Sequence, residues 1–458
     1  MTKHIQLLLA LASITILATL GSGCSAKHKE AYYLQQADDY YNAGKFDQAE
    51  IEYENVLRID SQNAQAWGRL GVIYFNQGRF GAAAPYLMNA QKLATNNVEV
   101  RAKLAVIYLA RQQWDEARNE ATTVLAQSPK DGQAPILLAE SAVTPADIND
   151  MRLRLQQLAP NGNPAAFAVA LGILAFREHD VQTAEGDFKR ALALDPKFSD
   201  AYSALGDLYF SNKDFKQADQ AYKTAADLVP ANLEKEMQYA QFKIASGDIV
   251  TGKSLMESMT KTDPSFVPPW ISLAQMAFGE KKYQDAAALL SALLSRDPDN
   301  FDGRILDSEI NLAETNTAAA VTELEALTKK YPQAPPALYQ LAVAYLANND
   351  TGKATDCLTQ ALNLDPKFTQ ATLLLSEIQL KTGAAVSAIT ALRQLVQQQP
   401  QLIQAWLLLA DAYGFQNNWD AALQIYRQLE KTYPKNAQVH LLAGTVLLKP
   451  DSRPVDAS

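Results

Sequence analysis

Bulky and small residues recur along this chain at an interval of 34 residues. One row of prolines marks the interval: Pro196, Pro230, Pro264, Pro298, Pro332, Pro366, Pro400 and Pro434. A row of small residues keeps the same phase: Ala49, Ala83, Ala117, Ala184, Ala218, Ala286, Ala354 and Ala422. Because chance does not maintain such a phase, the sequence predicts a tandem array of one structural unit.

Within one interval, the apolar positions are spaced as on the faces of two helices. Counted from Glu30 as position 1, positions 4, 7, 8 and 11 share one helical face, and positions 20, 24 and 27 share another. Small residues at positions 8 and 20 allow close approach of the axes, and larger ones at 4, 11, 17 and 24 fill the space beside them. Position 15 is often glycine, which suits a helix end, and proline at position 32 stops the second helix. Each interval therefore predicts an antiparallel helix pair.

The segments 66–90 and 200–230 are examples of this arrangement, which resembles the tetratricopeptide repeat family. The resemblance extends over residues 30–448. It implies an all-α fold, a right-handed α-solenoid of about twelve helix-turn-helix repeats followed by one terminal helix.

The pattern divides the chain into segments. We assign repeats 1–3 to residues 30–131, a degenerate repeat 4 to 132–164, repeats 5–12 to 165–436, a terminal helix to 437–448 and a disordered tail to 449–458. Repeat 4 is either a hinge or a local change of superhelical pitch. The terminal helix carries Val439, Leu442, Val446 and Leu447, which either form an exposed docking or dimer edge or close repeat 12.

The N-terminus has the pattern of a secretory signal peptide, residues 1–23. A basic start precedes the apolar run 7–20, which is shorter than the roughly 20 residues that a membrane-spanning helix needs. Small residues then lead into Cys24, which resembles the lipidated cysteine of bacterial lipoproteins, although Gly21 stands where that family usually has leucine. The resemblance implies a lipid anchor at Cys24, a tether over 24–29 and a place on the periplasmic face of the cell envelope, at the outer membrane. The alternative is a secreted protein that keeps a cysteine near its cleavage site.

In the tetratricopeptide family, the first helix of each repeat lines a concave groove, with ligand-facing side chains at positions 2, 5, 9, 12 and 13. The aromatic residues at position 12 are Tyr41, Phe75, Phe176, Phe210 and Phe278. The acidic residues at position 9 are Asp38, Asp207, Glu309, Glu377 and Asp411. The resemblance thus predicts a groove for a peptide with hydrophobic and basic residues. The alternative is that position 12 packs against the neighbouring helix.

The sequence shows none of the residue patterns that enzymes and cofactor sites require. We find no nucleophile with a convergent base, no clustered metal ligands and no phosphate loop, so we predict a protein that is not an enzyme and has no cofactor, metal or small-molecule substrate. Two cysteines cannot build a disulfide framework. The formal net charge of −9 disfavours nucleic acid as a partner.

These expectations combine into a function. We predict a non-catalytic scaffold that binds other proteins or peptides during assembly of an envelope or export complex, similar to the repeat lipoproteins of bacterial exopolysaccharide and protein-sorting systems. The alternative is an accessory subunit of a polysaccharide or peptidoglycan enzyme complex.

Overall fold

The computed structural model describes residues 26–230 and 232–447. The predicted signal peptide, Cys24 and the tail 449–458 lie outside the described residues. Residues 26–29, which we predicted to be part of a tether, are already helical and continuous with the first helix of the array. They include neither proline nor glycine, so nothing in them interrupts a helix.

All regular structure in the two described ranges is helical. The helices are α1 (26–42), α2 (Phe46–Ile59), α3 (Ala64–Asn76), α4 (Phe80–Leu93), α5 (Val98–Ala110), α6 (Trp114–Gln127), α7 (Ala134–Glu140), α8 (Pro145–Leu158), α9 (Pro164–Arg177), α10 (Val181–Leu194), α11 (Ser199–Ser211), α12 (Phe215–Leu228), α13 (Leu233–Ala245), α14 (Ile249–Thr262), α15 (Pro268–Gly279), α16 (Tyr283–Leu294), α17 (Phe301–Ala313), α18 (Thr317–Lys330), α19 (Pro335–Ala347), α20 (Thr351–Leu364), α21 (Thr369–Lys381), α22 (Ala385–Gln398), α23 (Ile403–Phe415), α24 (Trp419–Thr432) and α25 (Ala437–Leu447). Each 34-residue interval contains two of them, and the predicted α-solenoid fold is confirmed. No described helix is both long and apolar enough to cross a bilayer.

The turn inside the helix pair has one geometry in every repeat except repeat 4. Position 15 takes a positive φ whether or not it is glycine. It is glycine at Gly44, Gly78, Gly247 and Gly383, and it is another residue at Gln112, His179, Lys213, Lys281, Thr315, Asn349 and Asn417. The Gly78 N–H donates to the Phe75 carbonyl at 2.9 Å, and the Arg79 N–H donates to the Tyr74 carbonyl at 2.9 Å. These bonds satisfy the carbonyls that a helix end leaves free.

Small residues at position 8 accommodate large ones at position 24 of the same repeat. A Cβ atom on Gly71 would lie 2.7 Å from the Leu87 side chain, and one on Gly206 would lie 2.8 Å from the Tyr222 ring. Contacts under 3.0 Å force a neighbour to move, so these glycines set how closely the two helices of a pair can pack.

The chain forms two compact units, divided between Leu273 and Ala274. The fourth repeat lies inside unit 1, where α7 has only seven residues. Arginine side chains from neighbouring repeats stabilise its end: Arg118 donates to the Ser141 carbonyl at 3.2 Å, and Arg177 donates to the Glu140 carbonyl at 2.7 Å. The C-terminal end of the short helix α7 is therefore held by hydrogen bonds from both neighbouring repeats.

Within unit 1, the turn of repeat 2 contacts the connection that leads into repeat 8. The Val267 N–H, in the connection between α14 and α15, donates to the Gln77 carbonyl at 2.8 Å. Gly78 fits beside Pro268 so closely that a Cβ would lie 2.5 Å from the proline ring. Phe266 and Val267 are buried in this contact, which joins the turn of repeat 2 to the start of repeat 8.

The terminal helix α25 packs on the array through Val439, which is fully buried, and Ala443. Of the two alternatives for this helix, Val439 fits closure of repeat 12, because its side chain faces the core around α24. Leu442 is half-buried, and Leu441 is exposed. His440 bonds through both ring nitrogens, to Glu430 and to the Pro434 carbonyl, each at 2.9 Å.

Candidate partner-binding grooves

The aromatic residues predicted at position 12 contact the residue at position 17 across the turn of their own repeat. The ring centroids lie 5.6 Å apart for Tyr41 and Phe46, 5.1 Å for Phe75 and Phe80, 5.8 Å for Phe210 and Phe215, and 5.6 Å for Phe278 and Tyr283. Phe176 is half-buried against the core cluster of repeats 5 and 6. In these four pairs, position 12 therefore fastens the second helix to the first.

Position 12 also meets cations from the next repeat. The Arg69 guanidinium lies 4.5 Å above the Tyr41 ring, and Lys103 Nζ lies 4.4 Å above the Phe75 ring. Burial lowers the pKa of Lys103, and Glu234 and Glu99 partly offset this effect. Phe75 is almost fully buried, whereas Tyr41, Phe176, Phe210 and Phe278 keep an accessible edge. Phe75 has little surface left for a partner.

Three of the predicted acidic residues at position 9 accept a hydrogen bond from a tyrosine at position 24 of the same repeat. The bonds join Tyr53 to Asp38 at 2.6 Å, Tyr222 to Asp207 at 2.5 Å and Tyr426 to Asp411 at 3.1 Å. Asp occurs at position 9, and Tyr at position 24, only in these three repeats. The sequence contains this pairing, but the prediction that position 9 faces a ligand did not take it into account.

Unit 2 places Tyr339 beside two further acids from the predicted set. Burial raises the pKa of Tyr339, and the carboxylates of Glu377 and Glu309 raise it further. Gln340 Nε2 donates to Glu309 Oε1 at 2.5 Å, and burial raises the pKa of Glu309. Glu309 and Glu377 come from α17 and α21, on either side of α19, which carries Tyr339. One aromatic ring thus lies within electrostatic reach of two carboxylates, one from each adjacent repeat.

Unit 1 has a mixed charge cluster that the sequence did not reveal. Burial raises the pKa of Glu140 to about 7, although nearby Arg177 lowers it; Asp200 and Asp207 raise it and Lys235 lowers it. Lys235 Nζ donates to Asp200 at 2.6 Å, and Arg177 donates to backbone carbonyls. Both cations are therefore already bonded. The cluster draws its members from α7, α9, α11 and α13.

The acidic and aromatic groups described above are suited to binding. Within the described residues, no three His, Cys, Asp or Glu side chains cluster as metal ligands. Burial raises the pKa of the Cys357 thiol to about 11, so it stays protonated near neutral pH. Acidic and aromatic side chains that face the same way across adjacent repeats can instead contact basic and hydrophobic residues.

Comparisons with known proteins concern the repeat and the fold. Two family models, both described as tetratricopeptide repeat, match residues 34–97 and 169–232 in one case, and 77–140, 311–378 and 379–445 in the other. No curated protein matches the sequence.

Solved structures with a similar fold include yeast Tom70, 16% identical over 92% of this chain and 96% of that chain, with a TM-score of 0.49. The Cut9-Hcn1 hetero-tetramer of the APC/C is 15% identical over 91% and 96%, with a TM-score of 0.41. A thermophilic TPR protein in Thermus thermophilus is 24% identical over 40% of this chain and 99% of its own, with a TM-score of 0.33. The two family models together match more than half of the 458 residues, and the chain belongs to the tetratricopeptide repeat family.

Proposed function

We propose that this protein is a non-catalytic scaffold, tethered through a lipid on Cys24 to a bacterial membrane on the periplasmic side, at the outer membrane. It binds segments of partner proteins along the first helices of its repeats and serves the assembly of an envelope or export complex. Tetratricopeptide repeats generally bind proteins or peptides, which supports the binding part of this proposal.

The observation that carries the proposed binding site is that Tyr339, on α19, lies within electrostatic reach of Glu309 on α17 and Glu377 on α21, the first helices of the two adjacent repeats. The ring is half-buried, so it offers apolar surface, while the two carboxylates attract cations. An extended segment with alternating hydrophobic and basic residues complements this arrangement. Since the carboxylates are partly accessible, their attraction should weaken as salt is added.

A photo-crosslinking residue tests the groove directly. We would replace Tyr339 with benzoylphenylalanine, which keeps an aromatic ring, and place the same residue at Asp356, an exposed position on α20, as a matched control. The proposal predicts partner adducts from position 339 that fall when Glu309 and Glu377 are both changed to Gln, and few adducts from position 356. Equal adducts from both positions would refute a groove-specific partner. A single enzyme captured at one-to-one stoichiometry would favour the accessory-subunit alternative.

The tether is tested separately with Cys24→Ala. The lipid anchor predicts that the unmodified protein fractionates with membranes and that the variant is released or retained as an unprocessed precursor. A variant that is processed and fractionates as before would show that no lipid on Cys24 holds the protein.

A further inference from the structure

The face of the first helix opposite the groove packs against the second helix, and in repeat 2 it does so with three aromatic rings. Trp67 at position 4 lies 5.1 Å from Tyr86 at position 23, and Tyr74 at position 11 lies 5.0 Å from the same ring. Because each residue turns the helix by 100°, positions 4 and 11 point away from positions 5, 9 and 12. This aromatic triad is therefore separate from the groove.

Repeat 11 has small or polar residues at all three of these positions. Thr372, Gln379 and Ala391 stand where repeat 2 has tryptophan and two tyrosines. The space is left as a cleft of about 190 Å³, open to solvent and lined by all three residues. Leu375 and Leu395 supply apolar walls.

Gln379 gives this cleft an unsatisfied polar group. Its Oε1 atom is buried and has no hydrogen-bond partner among the described residues. A buried acceptor without a donor is unfavourable. Because Oε1 has almost no accessible surface, the Gln379 amide turns toward the cleft to meet a ligand, and a ligand that brings an N–H or O–H group to it gains that bond on binding. Tyrosines at the same position elsewhere bond to a carboxylate, as Tyr74 does to Glu50 at 2.9 Å and Tyr209 does to Glu185 at 2.8 Å.

The neighbouring repeat has a cleft at the equivalent place. In repeat 10 it measures about 320 Å³ and is lined by Leu338, Tyr345 and Cys357, which hold the same positions 4, 11 and 23. Tyr345, at position 11 of repeat 10, donates a hydrogen bond to Glu325 at 2.6 Å, whereas Gln379 Oε1, at position 11 of repeat 11, has no such partner among the described residues. Of these two clefts, the cleft of repeat 11 is thus the one with an unsatisfied acceptor for a hydrogen-bond donor.

We propose that the cleft of repeat 11 is a binding site for an aromatic side chain with an N–H or O–H donor, tryptophan or tyrosine, presented by a partner protein. Such a side chain replaces the missing triad, packs on Leu375 and Leu395 and donates to Gln379 Oε1. The cleft volume of about 190 Å³ suits an aromatic ring, since an apolar cavity of about 150 Å³ in another protein holds benzene. The site is independent of the groove around Tyr339.

The probe for this site is N-acetyl-L-tryptophanamide, titrated into the full chain with isotope-labelled glutamine side chains and leucine methyls. For a ligand of this size we expect a Kd on the order of 0.1–1 mM, with shifts at Gln379, Leu375 and Leu395. Ala391→Tyr refills the cleft as Tyr86 does in repeat 2 and should weaken binding at least about tenfold. Glu116→Gln, at an exposed position on α6, is the control and should leave the Kd unchanged.

A second comparison tests the donor without depending on the refilled variant. The probe methylated on its indole nitrogen has no N–H and should bind about five- to tenfold more weakly than the parent probe. Gln379→Leu should remove the difference between the two probes. Absence of shifts at repeat 11, equal Kd values for the two probes, or unchanged binding to Ala391→Tyr with the melting curve of the unmodified protein would each overturn the proposal.

Discussion

The hydrogen bond between Tyr222 and Asp207 offers a direct test of how this array is stabilised. Tyr222 is buried, and its hydroxyl donates to the Asp207 carboxylate at 2.5 Å. A hydrogen bond to a charged group contributes about 1.5–3 kcal/mol. Because Asp207 is exposed and water can replace a lost donor, we expect Tyr222→Phe to cost about 1.5 kcal/mol, at the lower end of that range. Asp207→Ala leaves the buried hydroxyl without its acceptor and should cost at least as much.

The assay is a double-mutant cycle on guanidinium unfolding, followed by circular dichroism, with hydrogen exchange to identify the transition of unit 1. The double variant should lose less than the sum of the single variants, with a coupling energy of about 1–1.5 kcal/mol. The Tyr426 and Asp411 pair is the matched comparison: its bond is longer, 3.1 Å, and its coupling should be smaller. Additive effects in both pairs would refute the idea that aspartate at position 9 is part of the helix-pair structure.

Three other perturbations have expected outcomes. Thr315 has a positive φ, which costs a non-glycine residue about 1–2 kcal/mol, whereas glycine destabilises the fold by about 0.4–1 kcal/mol because it gives the unfolded chain more freedom. Thr315→Gly should therefore raise the free energy of unfolding by about 0.5–1 kcal/mol. The control Ala326→Gly, at an exposed helical position, should lower it by about 1 kcal/mol in the same denaturation assay. Gly172→Ala places a Cβ against the Phe188 ring and should lower the melting temperature at a cost of about 1–3 kcal/mol; an unchanged melting temperature would contradict the close packing at position 8. The bonds of His440 to a carbonyl and a carboxylate raise its pKa, so its contribution to the docking of α25 is fully present below about pH 6.5 and is lost as the pH rises through the pKa of the folded state. Hydrogen exchange in α25, corrected for intrinsic rates, should show less protection at about pH 8.5 than at about pH 5.5, and His440→Ala should abolish the difference.

The fold could be predicted from sequence because its determinants are local. Spacings of three and four residues set each helix face, and a turn residue and a proline set where each helix ends, all within 34 residues. The contact between positions 12 and 17 is equally local, and its physical basis is visible in pairs such as Tyr41 and Phe46. The hydrogen bond between positions 9 and 24 could also be predicted from the sequence, since comparison of the repeats shows aspartate at position 9 and tyrosine at position 24 in the same three repeats.

The charge cluster of unit 1 could not be predicted in the same way. The charges of Asp200, Asp207 and Lys235, in the first helices of repeats 6 and 7, act on Glu140 in repeat 4, so the cluster depends on how successive repeats stack. Curvature is the sum of small rotations at every interface between repeats, and no single residue encodes it. The partner-binding roles of the position 9 and position 12 residues, and the lipid on Cys24, stay predictions.

The contact between Gln77 and Val267 changes how unit 1 loses its structure. In an open row of repeats, each repeat holds only its neighbours, so unfolding begins at a free end and proceeds inward one repeat at a time. A bond that ties repeat 2 to the start of repeat 8 removes that route for the repeats between them, because none can detach until the tie breaks. The entropy of closing so long a loop grows only logarithmically with its length, so the tie costs little more than a shorter one would. Repeats 2 to 7 should consequently melt as one cooperative block. The tie joins residues far apart in sequence, so it should form late during folding.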